Sequence, residues 1–181
     1  MRPVSATDGM NLANAKALRE MGGAYGAVAS ITHGTTVQSV VQRAESACIV
    51  ILSVDACRLC LFDQQKGTMS LARPHVSNQE LRVSGVTGLV ANTGSFVSAK
   101  DLSRHEFFDP VTDCTSTPSE GIPIAAMCGP CKDSKQAVIE GVFSVQRVGG
   151  VPFTSEEEEL FKLICQQVGF YCTGCAFMGA S

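Results

Sequence analysis

The chain has 181 residues, 45% hydrophobic and 17% charged, which suits one domain with a substantial core and excludes a disordered chain. Its net charge is −3 and its 14 Lys and Arg are scattered rather than gathered in a stripe, so nucleic-acid binding is not expected. The longest apolar stretch, 44–52, is broken by Glu45 and Ser46, well short of the roughly 20 residues of a membrane span, and Pro3, Ser5, Asp8 and Gly9 stand where a signal peptide needs apolar residues. A cytoplasmic protein with no membrane segment is expected.

Residues 1–34 read as an N-terminal arm. Leu12, Ala15, Leu18 and Met21 recur at spacings of three and predict a short helix over 11–21, capped by Asp8 or Asn11. Gly22, Gly23 and Gly26 are expected to break it, and the arm must pack on something or stay mobile. Thr35 and Thr36 look like caps. From Val37 the helical period is clear, with Val40, Val41, Ala44, Cys48, Ile51 and Leu52 on one face.

A strand over 57–62 ends at Asp63, a turn follows over 64–67, and 68–72 completes a hairpin. Leu81, Arg82 and Val83 predict a third short strand. Residues 85–94 form a short helix with glycine at both ends, and 96–98 is extended. The polar stretch 101–123, with Pro110, Pro118 and Pro123, reads as a long loop of the kind that often carries function. Two strands, 124–131 and 137–146, are joined by a turn. The final helix starts strongly: Thr154 and Ser155 precede Glu157 and Glu158, which gives two capping-box candidates. Leu160, Ile164, Val168, Tyr171 and Cys175 make its apolar stripe. This order predicts an α+β domain, an antiparallel sheet of about six strands flanked by helices, over residues 35–175, with a tail at 176–181.

Nine cysteines include three CxxC pairs. Cys57 and Cys60 lie three apart on a strand and so point to opposite faces. Cys128-Gly129-Pro130-Cys131 has the form of a redox tetrad, but that chemistry needs a helix N-terminus to lower the thiol pKa, and here a strand and a charged turn surround it. Cys172 and Cys175 have no second ligand pair, so no zinc site or other metal site is expected. The bland reading is reduced, buried thiols acting as small hydrophobes. His33, His75 and His105 all fall in loops, and none pairs with a nucleophile and an orienting carboxylate. The glycines of 85–94 do not follow GxGxxG, so a dinucleotide site is discounted and no cofactor is expected.

Three ordered stretches resemble a GAF domain. They are Cys57-Arg-Leu-Cys-Leu-Phe-Asp63, the glycine-flanked helix of 85–94, and the run from Cys128 through Gly141-Val-Phe-Ser-Val-Gln-Arg147 to Pro152-Phe-Thr-Ser-Glu-Glu-Glu-Glu-Leu-Phe161. The last is similar to the closing strands and helix of GAF domains in cyclic-nucleotide phosphodiesterases and adenylyl cyclases. Those domains carry an N-K-…-F-x-x-x-D-E signature, and the matching positions here are Gln146, Arg147, Phe153, Glu157 and Glu158. Only Phe153 and Glu158 are identical, although an Arg–Glu pair can replace a Lys–Asp pair.

The resemblance implies three functional readings. The first is a non-catalytic module acting through a protein partner or a homodimer, by way of the arm and the final helix; axonemal assemblies use GAF domains as parts, which implies a cilium or flagellum setting. The second is a small-molecule sensor for a cyclic-nucleotide-like ligand. By resemblance its pocket would involve Arg58, Arg73, His75, Thr87, Phe108, Asp109, Cys114, Thr115 and Ser144, with an arginine able to grip a phosphate bidentately. Without a ligand, Arg58 and Arg73 read as solvated strand residues. The third is an enzyme similar to free-methionine-sulfoxide reductases, with Cys114 as its catalytic thiol. There Thr87 stands where a second cysteine would be expected, so a disulfide relay of that kind is incomplete.

Overall fold

Thr36 starts the first long helix, α1 (Val37–Leu52), in a computed structural model that describes residues 22, 23, 26, 28, 29, 31, 36–72, 80–114, 121–133, 135 and 137–178, with side chains described as far as 171. Its backbone is extended, its hydroxyl accepts the Ser39 N–H at 3.2 Å, and its own N–H donates to Ser39 Oγ at 3.1 Å. Two donors that the helix cannot satisfy internally are thereby paired. Val40, Val41, Ala44, Ala47, Cys48 and Leu52 form the buried face, and Ser53 ends the helix in the left-handed region.

Six antiparallel strands follow in the spatial order β3-β2-β1-β6-β5-β4. They are β1 (Ala56–Asp63), β2 (Thr68–Leu71), β3 (Glu80–Arg82), β4 (Val97–Ala99), β5 (Ile124–Lys132) and β6 (Ile139–Val148). Helix α2 (Gly85–Thr93) lies between β3 and β4 in the chain, and α4 (Ser155–Met178) closes it. The period of two divides the side chains of the central strands between two cores. Cys57, Leu59, Ala125, Met127, Cys131, Phe143 and Val145 face α1 and α4, whereas Cys60, Ala126, Cys128 and Val142 face α2. Cys57 and Cys60 therefore lie on opposite faces, as expected, and so do Cys128 and Cys131. Pro130 sits in β5 beyond the last β4 pairing at Cys128, where its missing N–H costs no ladder bond on that side.

Thr154 and Glu157 make the capping box of α4: Thr154 N donates to Glu157 Oε2 at 2.8 Å, and Glu157 N to Thr154 Oγ1 at 3.2 Å. The buried stripe of α4 is Phe161, Ile164, Cys165 and Val168. Leu160 and Tyr171, expected in this stripe, are half-buried at its margin and pack against the core. The Phe161 ring stacks on Phe143 at 5.7 Å and lies 6.2 Å from Phe96. A Cβ at Gly129 would come within 2.7 Å of Cys165 Sγ, so the bare strand lets the helix approach.

Three expectations change. Gly22, Gly23 and Gly26 are helical rather than a break, and Val28 and Ile31 nearby are buried in the core beneath α1 and α4; tertiary burial overrides weak glycine propensity. The stretch 101–123 contains structure of its own: a 3₁₀ turn over Leu102–Arg104 and the short helix α3 (Pro110–Asp113). Asp101 and Asp109 cap them, accepting Ser103 N at 3.2 Å and Val111 N at 3.0 Å, and Pro110 occupies the first turn of α3, where no N–H is needed. The last hairpin turns later than expected, because Asp133 Oδ1 holds the Ala137 and Val138 amides in the turn at 2.7 and 3.1 Å. The helix predicted over 11–21 lies outside the described residues.

Candidate functional site

Among the described residues, the buried polar side chains Thr87, Thr112, Asp113, Ser144 and Gln146 converge on the sheet face that looks toward α2. Arg58 on β1 pairs across the ladder with Ser144 on β6, and Gln146 follows two residues on along the same face. Ser144 Oγ donates to the Arg58 carbonyl at 3.4 Å. The Arg58 guanidinium reaches out and donates from Nη1 to the Thr112 carbonyl and from Nη2 to the Cys114 carbonyl. It is therefore not a solvated strand residue: its fork holds the backbone on either side of Asp113.

Asp113 is the centre of the arrangement. The residue is 2% exposed, and its carboxylate accepts four hydrogen bonds, from Val86 N and Thr87 N at 2.9 Å, from Thr87 Oγ1 at 2.8 Å and from Asp109 N at 2.9 Å. Val86 and Thr87 open α2, where unpaired amides and the helix dipole favour an anion. Gly85 has φ +71°, and a Cβ there would overlap the Asp113 carboxylate, so glycine is required for both conformation and space. Gln146 Nε2 donates to the Asp113 carbonyl. Ser84 Oγ donates to Asp109 Oδ2 at 2.6 Å and shares a hydrogen bond with Thr112 Oγ1 at 2.8 Å. The Ser84 hydroxyl, with the Val111 N–H behind it, holds the Asp109 carboxyl below its usual range.

The structure thus brings Arg58, Thr87, Asp109, Cys114 and Ser144 together, with Phe108 half-buried against the same core. Arg73, His75 and Thr115 lie outside the described residues. Asp113, Ser84 and Thr112 were not among the expected site residues. Their partners stand about 25 residues away in sequence, and no local motif announces them.

The thiols on this face are poorly suited to nucleophilic work. Burial pushes the Cys114 thiol up, Asp113 adds to the effect, and Arg58 only partly opposes it. Cys60 is pushed up to about 11 by burial, with Arg58 opposing and Asp113 reinforcing, and burial also raises Cys128. The thiolate is the reactive form, so all three are held away from it. Among the described residues no three His, Cys, Asp or Glu side chains form a group able to hold a metal ion.

On the opposite side of the strand, Arg147 Nη2 meets Glu157 Oε1 at 2.6 Å, its guanidinium lies 4.2 Å from the Phe153 ring centre, and it also donates to the Leu52 carbonyl. The pair joins β6, the start of α4 and the end of α1. Burial pushes the Glu157 carboxyl up, but the Arg147 guanidinium and the Thr154 N–H outweigh it and bring the group below its ordinary value.

This bracing of sheet and helices, over a sheet of order β3-β2-β1-β6-β5-β4, accompanies a match of residues 33–171 to the GAF domain family model. The chain belongs to the GAF family. Its GAF fold is shared with the GAF domain of a phosphoenolpyruvate-protein phosphotransferase from Coxiella burnetii: TM-score 0.74, 15% identity, 91% of this chain and 99% of that one covered. The corresponding domain from Acinetobacter gives TM-score 0.71 at 17% identity, covering 90% and 98%. The free methionine-R-sulfoxide reductase of Neisseria meningitidis gives 0.64 at 11%, covering 84% and 87%. No curated protein matches the sequence. A GAF domain is a ligand-binding or protein-interaction module, and no helix among the described residues is long and apolar enough to cross a membrane.

Proposed function

We propose that this GAF domain is a non-catalytic interaction or assembly module, spanning residues 35–175, with the arm 1–34 and the final helix as its contact elements. The observation that carries the reading is the use made of the site's donors. Arg58, Gln146, Thr87 and the first amides of α2 are all engaged by residues 109–114 of the chain itself. A sensor pocket would present such groups to its ligand. The outer faces of α1 and α4, which pack side by side, carry Ile49, Val50, Leu163 and Phe170 as exposed apolar side chains, and these suit a protein contact.

The cyclic-nucleotide-like sensor is the second reading, favoured by the gathering of Arg58, Thr87 and Ser144 on one face, and it requires residues 109–114 to withdraw. A thiol-dependent reductase similar to the Neisseria enzyme is disfavoured by the burial of Cys114 and the rise of its pKa. A cytoplasmic place, and a cilium or flagellum setting within it, rest on the sequence reading and on the family resemblance respectively.

Sedimentation equilibrium of the purified protein tests the proposal, beside capture from a native lysate. A self-associating protein, or one that retains a stoichiometric partner, with either contact weakened by Phe170→Glu or Val50→Glu, supports it. A monomer that retains nothing contradicts it.

A further inference from the structure

We infer that residues 109–114 form a latched lid over the α2-facing side of the sheet, held shut by the Asp113 carboxylate. This goes beyond the interaction role, since it concerns how the site opens whatever the module contacts.

The lid is fastened almost wholly by polar groups. Asp113 ties it to the start of α2 through Val86 N, Thr87 N and Thr87 Oγ1. Arg58 ties it to β1 through the carbonyls of Thr112 and Cys114, and Gln146 ties it to β6 through that of Asp113. Ser84 adds a hydroxyl to Asp109 and Thr112. The apolar grip is small: Cys114 is its one buried apolar side chain, Val111 is 74% exposed, and Pro110 is also exposed. A segment with few buried apolar contacts opens below the free energy of global unfolding. Three of these attachments, all to α2, meet at the Asp113 carboxylate, so loss of its charge weakens them together.

The cysteines report on this opening. Cys60, Cys114 and Cys128 lie on the lid side of the sheet, all buried, while Cys48, Cys131 and Cys165 lie in the other core under α1 and α4. Cys114 ends the lid itself, and Cys60 and Cys128 belong to the core on the sheet face that the lid and α2 cover. Local opening of the lid exposes the first group and leaves the second protected. Global unfolding exposes both at once.

The test is alkylation by N-ethylmaleimide under native conditions, followed in time by peptide mass spectrometry. In the wild-type protein Cys114 labels first, Cys60 and Cys128 follow, and Cys48, Cys131 and Cys165 label more slowly than all three. Asp113→Asn, which keeps the shape but removes the charge, raises the lid-side rates by about tenfold or more and leaves the other group unchanged. Arg58→Met gives the same selective increase. A single common rate for both groups in the wild-type protein overturns the lid, and that measurement decides even where a variant fails to fold. In a folded Asp113→Asn protein, an unchanged Cys114 rate also overturns it. Neither result depends on whether the protein has a partner, so failure of the interaction role would appear separately, in the sedimentation experiment.

Discussion

Thr87 gives both its amide and its hydroxyl to one oxygen of Asp113, at 2.9 and 2.8 Å. The two residues stand 26 apart in sequence, yet this contact fixes the start of α2 against the turn that covers the sheet. Thr87 is 1% exposed, so its hydroxyl is shielded from water. Thr87→Val keeps the shape and removes one hydrogen bond to a buried carboxylate. We expect a loss of about 1.5–3 kcal/mol in urea unfolding, with Thr87→Ser close to the wild type. A neutral Thr87→Val would show that the hydroxyl is not engaged.

The Arg147–Glu157 pair makes acid stability predictable. The folded carboxyl of Glu157 lies below its ordinary value, so its contribution to stability is complete above the unfolded pKa of about 4.3 and disappears as pH falls through the lower folded value. Glu157→Gln should therefore lower stability at pH 7, and the gap between variant and wild type should close progressively below about pH 4. Thermal unfolding from pH 7 to pH 3 measures this. A gap that stays constant with pH would remove the electrostatic account of the pair.

Phe161 joins α4 to the sheet by stacking on Phe143 and meeting Phe96, and it is fully buried. Phe161→Ala leaves a cavity at the centre of the helix-side core and should cost about 3–5 kcal/mol in denaturant unfolding. Leu160→Ala, at the half-buried margin, should cost clearly less. Equal losses would show that Leu160 is packed as tightly as Phe161.

Much of the fold was legible because local rules decide it. Alternation along 57–62 placed Cys57 and Cys60 on opposite faces, Thr154 and Glu157 announced a capping box, and glycines bounded α2. The long-range contacts were not legible. A polar stretch containing Asp109 and Asp113 reads as a loop until the N-terminus of α2 is brought against it, and Arg58 reads as solvated until the carbonyls of Thr112 and Cys114 meet it. The helical glycines at 22, 23 and 26 escaped for a similar reason: burial of Val28 and Ile31 decides their conformation, and burial is not a local property. Of the nine residues the resemblance placed in the pocket, Arg58, Thr87, Asp109, Cys114 and Ser144 do gather on one face with Phe108 beside them. Their partners include Ser84, Thr112 and Asp113, which the resemblance did not place there, and the backbone of Arg58, Thr112 and Cys114.

The central claim is that the donors of this GAF site are already committed within the chain. Isothermal titration of the purified protein with cyclic AMP and cyclic GMP tests it most directly. The account predicts no heat of binding up to high micromolar ligand; saturable heat at a one-to-one ratio would contradict it and establish the sensor reading instead.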